Sequence, residues 1–201
     1  DLYLPYRPKR RTKALIAKEA GLEPLAIALW EDSTLEPSTF AESFVNAELK
    51  IDTPQIALEG AQQILMERFS EDADLLSELR TYLWEHCVLK STAAKNKKPA
   101  AAKFSDYFNY AEPIKKIPSH RALALFRGRR ESALQFELTL PHDPSYGEQR
   151  LLTYFKITNP NEWMLETLRL CWSTKLFGKL ELELLTRLRE LADEEAIRVF
   201  T

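Results

Sequence analysis

Thr53-Pro54-Gln55-Ile56-Ala57-Leu58-Glu59-Gly60-Ala61-Gln62-Gln63-Ile64-Leu65-Met66-Glu67-Arg68-Phe69-Ser70-Glu71-Asp72-Ala73-Asp74-Leu75-Leu76-Ser77-Glu78-Leu79-Arg80-Thr81-Tyr82-Leu83-Trp84-Glu85-His86 is the stretch that decides the fold. Thr53 followed by Pro54 is a helix start. The threonine hydroxyl can accept from a first-turn N–H, and proline's missing donor costs nothing there. Ile56, Ile64, Leu65 and Phe69 then form an apolar stripe, and Leu75, Leu76, Leu79, Leu83 and Trp84 form a second in the segment that follows. The short acidic connection Ser70–Asp74 joins the two. Such a pair reads as an αα-hairpin of helix-turn-helix type.

Helical signals continue on both sides. Arg11 to Ala20 reads as a helix ended by Gly21, and Leu22, Leu25, Ala26 and Leu29 follow at helical spacing with Pro24 in the first turn. Pro37-Ser38-Thr39 reads as a turn. Phe104 to Tyr110 predicts one or two helical turns, and Ser119 to Arg127 predicts a short helix stopped by Gly128. Leu151, Leu152 and Phe155 lean helical. Asn161 caps a long helix that Gly178 interrupts, and Leu180 to Phe200 resumes it. The clean alternation is Leu134, Phe136, Leu138 and Leu140 against Gln135, Glu137 and Thr139. A lone strand leaves backbone groups unpaired, so it is matched with Val88–Thr92. The expected fold is mainly α, a multi-helix region with an αα-hairpin and a small two-stranded β element. Its expected sub-units are a helical lead-in (1–52), a helix-turn-helix-like part with the β element (53–140) and long helices (141–201).

Composition excludes several classes. The 201 residues suit one domain, or one and a half. Hydrophobic residues at 45% and charged ones at 29% are enough for a packed core and argue against disorder. Two cysteines, Cys87 and Cys171, cannot form a disulfide framework and suit a reducing cytoplasm, the expected location. No run of 18 apolar residues is present, so no membrane partner is expected. The start, Asp1-Leu2-Tyr3-Leu4-Pro5, lacks Met and the pattern of a signal peptide, and the expectation is a piece cut from a longer protein. Five scattered glycines cannot build a phosphate-cradling loop. Three histidines and no Cys-x-x-Cys offer no metal-ligand spacing, so no metal and no cofactor are expected. Paired carboxylates such as Asp72/Asp74 are explained by helix caps and solvated faces. No nucleophile motif appears, and the chain is read as not an enzyme, with a nuclease as the third choice.

Charge is the better lead. The net charge is −2, but residues 31–80 hold three basic and twelve acidic side chains, and residues 81–130 hold eleven basic and three acidic ones. A basic region attracts phosphate backbones. It can equally dock on the acidic block or brace a neighbouring domain. Arg7, Lys9, Arg10, Arg11 and Lys13 put five positive charges in seven residues. Lys115, Lys116, Arg121, Arg127, Arg129 and Arg130 lie in Pro113–Arg130, a segment with no acidic residue. Arginine forks pair bidentately with phosphate. These eleven residues are the candidate nucleic-acid contacts. Phe104, Tyr107 and Phe108, at i, i+3 and i+4, read as core in preference to base-stacking platforms.

Three stretches carry a resemblance. They are Asp1-Leu2-Tyr3-Leu4-Pro5-Tyr6-Arg7-Pro8-Lys9-Arg10-Arg11-Thr12, with Gly21-Leu22-Glu23-Pro24-Leu25-Ala26; Lys103-Phe104-Ser105-Asp106-Tyr107-Phe108, with Pro113 to Ala124 and Arg127-Gly128-Arg129; and Leu180-Glu181-Leu182-Glu183-Leu184, with Ala192 to Phe200. In this order they resemble the Tex family of bacterial transcription accessory proteins, while 31–52 and 141–160 match less well. The resemblance implies the family's N-terminal helical region, without its RNase H-like, helix-hairpin-helix and OB-type RNA-binding domains. It carries no catalytic residue onto this segment. It implies a non-catalytic helical scaffold in a nucleic-acid-binding transcription accessory protein. The expected partners are RNA or DNA bound without sequence preference, the transcription machinery, and other domains of the full-length chain. The alternative function is a protein-interaction module that docks through the acidic face.

Overall fold

Thr53 caps its helix as read. Its hydroxyl accepts from the Ile56 N–H at 3.2 Å, and Pro54 opens helix α4 (Pro54–Ser70). The computed structural model describes residues 10–200. It divides into two compact units, one made of residues up to Asp72 with Glu148–Lys175, the other of Ala73–Gly147 with the chain from Leu176 onward. The division interleaves the sequence.

In the first unit α4 is the central element. Ala57, Leu58, Ala61, Ile64, Leu65, Met66 and Phe69 are buried on it, while Ile56 is 36% exposed and lies off the stripe. Helices α1 (Lys13–Glu19), α2 (Glu23–Glu31) and α3 (Pro37–Ala41) pack on α4, and so does α8 (Glu162–Cys171). Gly21 follows α1 with φ +80°, a left-handed position that glycine occupies without steric cost. Pro37-Ser38-Thr39 is the start of α3 where the sequence suggested a turn, with Glu36 accepting from the Thr39 N–H. Asn161 caps α8, accepting from the Met164 N–H at 2.8 Å. Phe69 stacks on Phe155 at 4.3 Å, and Trp30 meets both rings edge-on.

In the second unit a three-stranded antiparallel sheet has the order β2-β1-β3, with β1 (Val88–Ala93), β2 (Asn109–Pro113) and β3 (Leu134–Thr139). Strand β1 pairs with β3 as expected, in the register Leu89↔Leu138 and Ser91↔Phe136. The expected two-stranded element therefore needs correction, because β2 adds a third strand along Val88–Thr92. Asn109-Tyr110-Ala111-Glu112-Pro113 shows no apolar alternation because none of its residues is buried, and a terminal proline is tolerated on an edge strand. Pro99–Tyr107 forms 3-10 turns and Ile114–Lys116 another. Helix α6 (Ser119–Arg130) packs against β3 and against α9 (Phe177–Val199), and α5 (Ala73–His86) also packs on α9.

Helices α4 and α5 of the expected αα-hairpin belong to different units. The boundary between the units falls in the hairpin's connection, at Asp72/Ala73. The α4 stripe is covered by α1, α2, α3 and α8, and the α5 stripe by α9 and the Ile114–Lys116 turn. Each stripe finds its cover within its own unit.

Two glycines were misread as helix stops. Gly178 lies inside α9, and the break before it is a π-helical turn over Trp172–Leu176. Gly128 lies inside α6 and is buried. A Cβ there would stand 2.4 Å from Leu134 Cδ1, 2.8 Å from Leu134 Cγ and 3.2 Å from Phe104 Cδ1. The residue is needed for close approach of α6 to β3. Gly128→Ala is expected to lower stability by about 1–2 kcal/mol, since overpacking outweighs the helix propensity gained. Urea titration followed by circular dichroism checks this.

Candidate nucleic-acid interface

Helix α6 builds the site by presenting two faces. Ala122, Leu125, Phe126 and Gly128 face inward, while Arg127, Arg129 and Arg130 in its last turn are exposed. Cations at a helix C-terminus also meet the negative end of the dipole. Together with Leu123, Phe126, Arg189 and Asp193 they line a groove of about 480 Å³. The lining carries four guanidinium groups, one carboxylate and the apolar side chains of Leu123 and Phe126. Arg189 comes from α9 and sits 4.0 Å from Asp193.

The candidate cations differ in what holds them. Lys115 pairs with Glu85, and that hydrogen bond keeps the Glu85 carboxyl below its ordinary value. Arg121 pairs with Glu112 at 3.1 Å. Arg127 pairs with Glu131 at 3.0 Å, and Lys103 reaches the same carboxylate at 2.9 Å. The Lys103 hydrogen bond, opposed by burial and aided by Arg127, holds Glu131 below the usual carboxylate range. None of these partners belongs to residues 31–80. Arg129 lies over the rings of Phe136 and Phe126, at 4.5 and 5.3 Å from their centroids. Among the described residues Lys116, Arg129 and Arg130 have no acidic partner.

The first basic cluster is split. Arg7 and Lys9 lie outside the described residues. Arg10, Arg11 and Lys13 line a separate groove of about 640 Å³ in the first unit, beside Glu67, Glu71 and Lys175. Arg11 also pairs with Glu19. This groove mixes signs where the α6 groove is dominated by one. Phe104 is 5% exposed and belongs to the core, as read.

Neither cysteine has the surroundings of a reactive thiol. Burial pushes the thiols of Cys87 and Cys171 up to about 12. At pH 8 only about one in 10⁴ molecules would carry either thiolate. Native protein is expected to resist iodoacetamide at that pH, and two thiols per chain are expected to react in urea. Mass spectrometry of the alkylated protein checks both. Among the described residues no three His, Cys, Asp or Glu side chains gather to hold a metal ion, and no helix is long and apolar enough to cross a membrane.

A family model described as Tex central region-like matches residues 32–200. The chain belongs to the Tex family. The matching model is that of the family's central region, where the resemblance read from sequence named the N-terminal helical one. The chain is 45% identical over 210 residues to protein YhgF of Escherichia coli. It is 44% identical over 206 residues to the transcriptional accessory protein Tex of Neisseria gonorrhoeae, and 42% over 214 residues to protein tex of Bordetella pertussis. All of this chain is covered in each comparison, but only 27% of each relative, so the chain spans about a quarter of their length.

Sequence reasoning missed Arg189, which lines the groove of this Tex-family chain, and Phe136, whose ring lies against Arg129. Arg189 was one charge among many on a long helix, and Phe136 was an ordinary strand residue. Only the packing of α6 against β3 and α9 brings them to Arg129.

Proposed function

We propose that this chain is a non-catalytic helical scaffold within a transcription accessory protein of the Tex family. Its α6 groove makes weak, sequence-independent contact with the phosphate backbone of RNA or DNA. The observation that carries the reading is the convergence of Arg127, Arg129, Arg130 and Arg189 on one groove with a single carboxylate. Guanidinium groups bind phosphate oxygens in pairs, and phosphate contacts position without reading sequence. The name of the Neisseria relative, transcriptional accessory protein, supports the setting. The cytoplasm is the proposed compartment, in keeping with two buried free cysteines.

Fluorescence anisotropy with labelled single- and double-stranded oligonucleotides tests this. Four phosphate contacts predict a plot of log affinity against log salt with a slope of about −3 to −4, and a dissociation constant of about 10⁻⁴–10⁻⁶ M at physiological salt. The slope should be alike for unrelated sequences. No binding at low salt overturns the reading and favours docking on the transcription machinery through the acidic residues of 31–80. Nucleic-acid cleavage with Mg²⁺ or Mn²⁺ that follows the protein through purification overturns the non-catalytic part.

A further inference from the structure

We propose that the aromatic corner formed by Phe126 and Phe136 positions Arg129 for phosphate, so that Phe136, an uncharged residue of β3, sets the affinity of the groove. This rests on the phosphate-binding reading above. The two rings meet edge to face, with centroids 5.6 Å apart and planes at 80°. Arg129 lies over both, at 4.5 Å from the Phe136 centroid and 5.3 Å from that of Phe126. Arg189 approaches the Phe126 ring from α9, at 5.9 Å.

A ring face is negative by its quadrupole, so it attracts a guanidinium without occupying the N–H donors. That separates Arg129 from its neighbours. Arg121 and Arg127 direct N–H groups to Glu112 and Glu131, and their charge is partly neutralised. Arg129 keeps its charge and its donors for oxygen atoms of a ligand. A long side chain also loses rotamer freedom on binding, and an arginine already laid on two rings loses less.

The corner is built on a helix and a strand. Phe126 is 8% exposed, and Phe136 stands opposite Ser91 in the β1–β3 ladder. Gly128 lets α6 lie against Leu134 of the same strand. Groups held on a helix and a strand present a more fixed geometry than groups on a loop.

The test is a binding cycle on the whole 201-residue chain with labelled oligothymidylate at low salt. Phe136→Leu keeps apolar bulk but removes the ring, and is expected to weaken binding about two- to fivefold. Phe136→Tyr restores the ring and should bind as the wild type does. Arg129→Lys keeps the charge without a planar face and should lose a similar amount. In an Arg129→Ala background Phe136→Leu should cause no further loss, because the arginine it positions is gone. An equal loss in both backgrounds means that the ring acts through general packing, and overturns the proposal. So does unchanged affinity of Phe136→Leu. Should that variant not fold, Arg129→Lys decides, and wild-type affinity there overturns the proposal. A wild-type chain without salt-dependent binding removes the underlying reading itself, a failure visible before any variant is made.

Discussion

Replacing Arg127, Arg129 and Arg130 together by Ala is expected to flatten the salt dependence of nucleic-acid binding by about one unit per lost contact, roughly two to three in all. The loss should be the same for every sequence tested, because the groove offers charge and no built donor-acceptor pattern for base edges. Arg189 remains in the groove and leaves a residual slope. Stability should change little. The pair removed, Arg127 with Glu131, is exposed, and exposed pairs contribute about 0–1 kcal/mol. Losing three cations from a helix C-terminus is unfavourable, but alanine's helix propensity offsets part of it. If these residues brace a neighbouring domain instead, the intact chain binds no oligonucleotide. A stable triple variant with undiminished binding places the contact elsewhere, on Arg7 to Lys13. Anisotropy titrations at several salt concentrations, paired with urea unfolding, separate the three outcomes.

Phe69→Ala is expected to be the most damaging single change in the first unit. Phe69 is fully buried, stacked on Phe155 at 4.3 Å and edge-on to Trp30 at 5.1 Å. Truncating such a ring forfeits its transfer energy and leaves a cavity, at a cost of about 3–5 kcal/mol. A domain is stable by about 5–15 kcal/mol, so the variant should be close to unfolding at 37 °C. Urea unfolding read by tryptophan emission and by circular dichroism measures the loss. A loss below about 1 kcal/mol would mean that the cluster is not the centre of this unit's core.

Much of the fold was legible because its signals are local. Thr53 and Asn161 sit where their side chains accept from an N–H three residues on. Gly21 carries the positive φ that its place after α1 suggests. The alternation at Leu134–Leu140 marks β3, and its pairing with β1 follows because a strand needs a partner. The misreadings share a cause. Gly128 looks like a stop in sequence, but the atoms that require it belong to Leu134 and Phe104. Strand β2 has no periodic signature because none of its residues is buried.

The candidate site divides in the same way. The sequence by itself determined where α4 and α8 start, that the chain is mainly α, and that six cations crowd into Pro113–Arg130 with no acid among them. These depend on backbone caps, apolar spacing and composition, which reach no further than a few residues. Apart from the i,i+4 pair Arg127–Glu131, only the tertiary structure decided which of those cations are neutralised. Glu85, Glu112 and Glu131 take up Lys115, Arg121 and Arg127, while Arg129 is laid on Phe136 and joined by Arg189. Ion pairing and cation–π contact fall off within a few ångströms, so they are settled by which distant residues the packing of α6, β3 and α9 brings together.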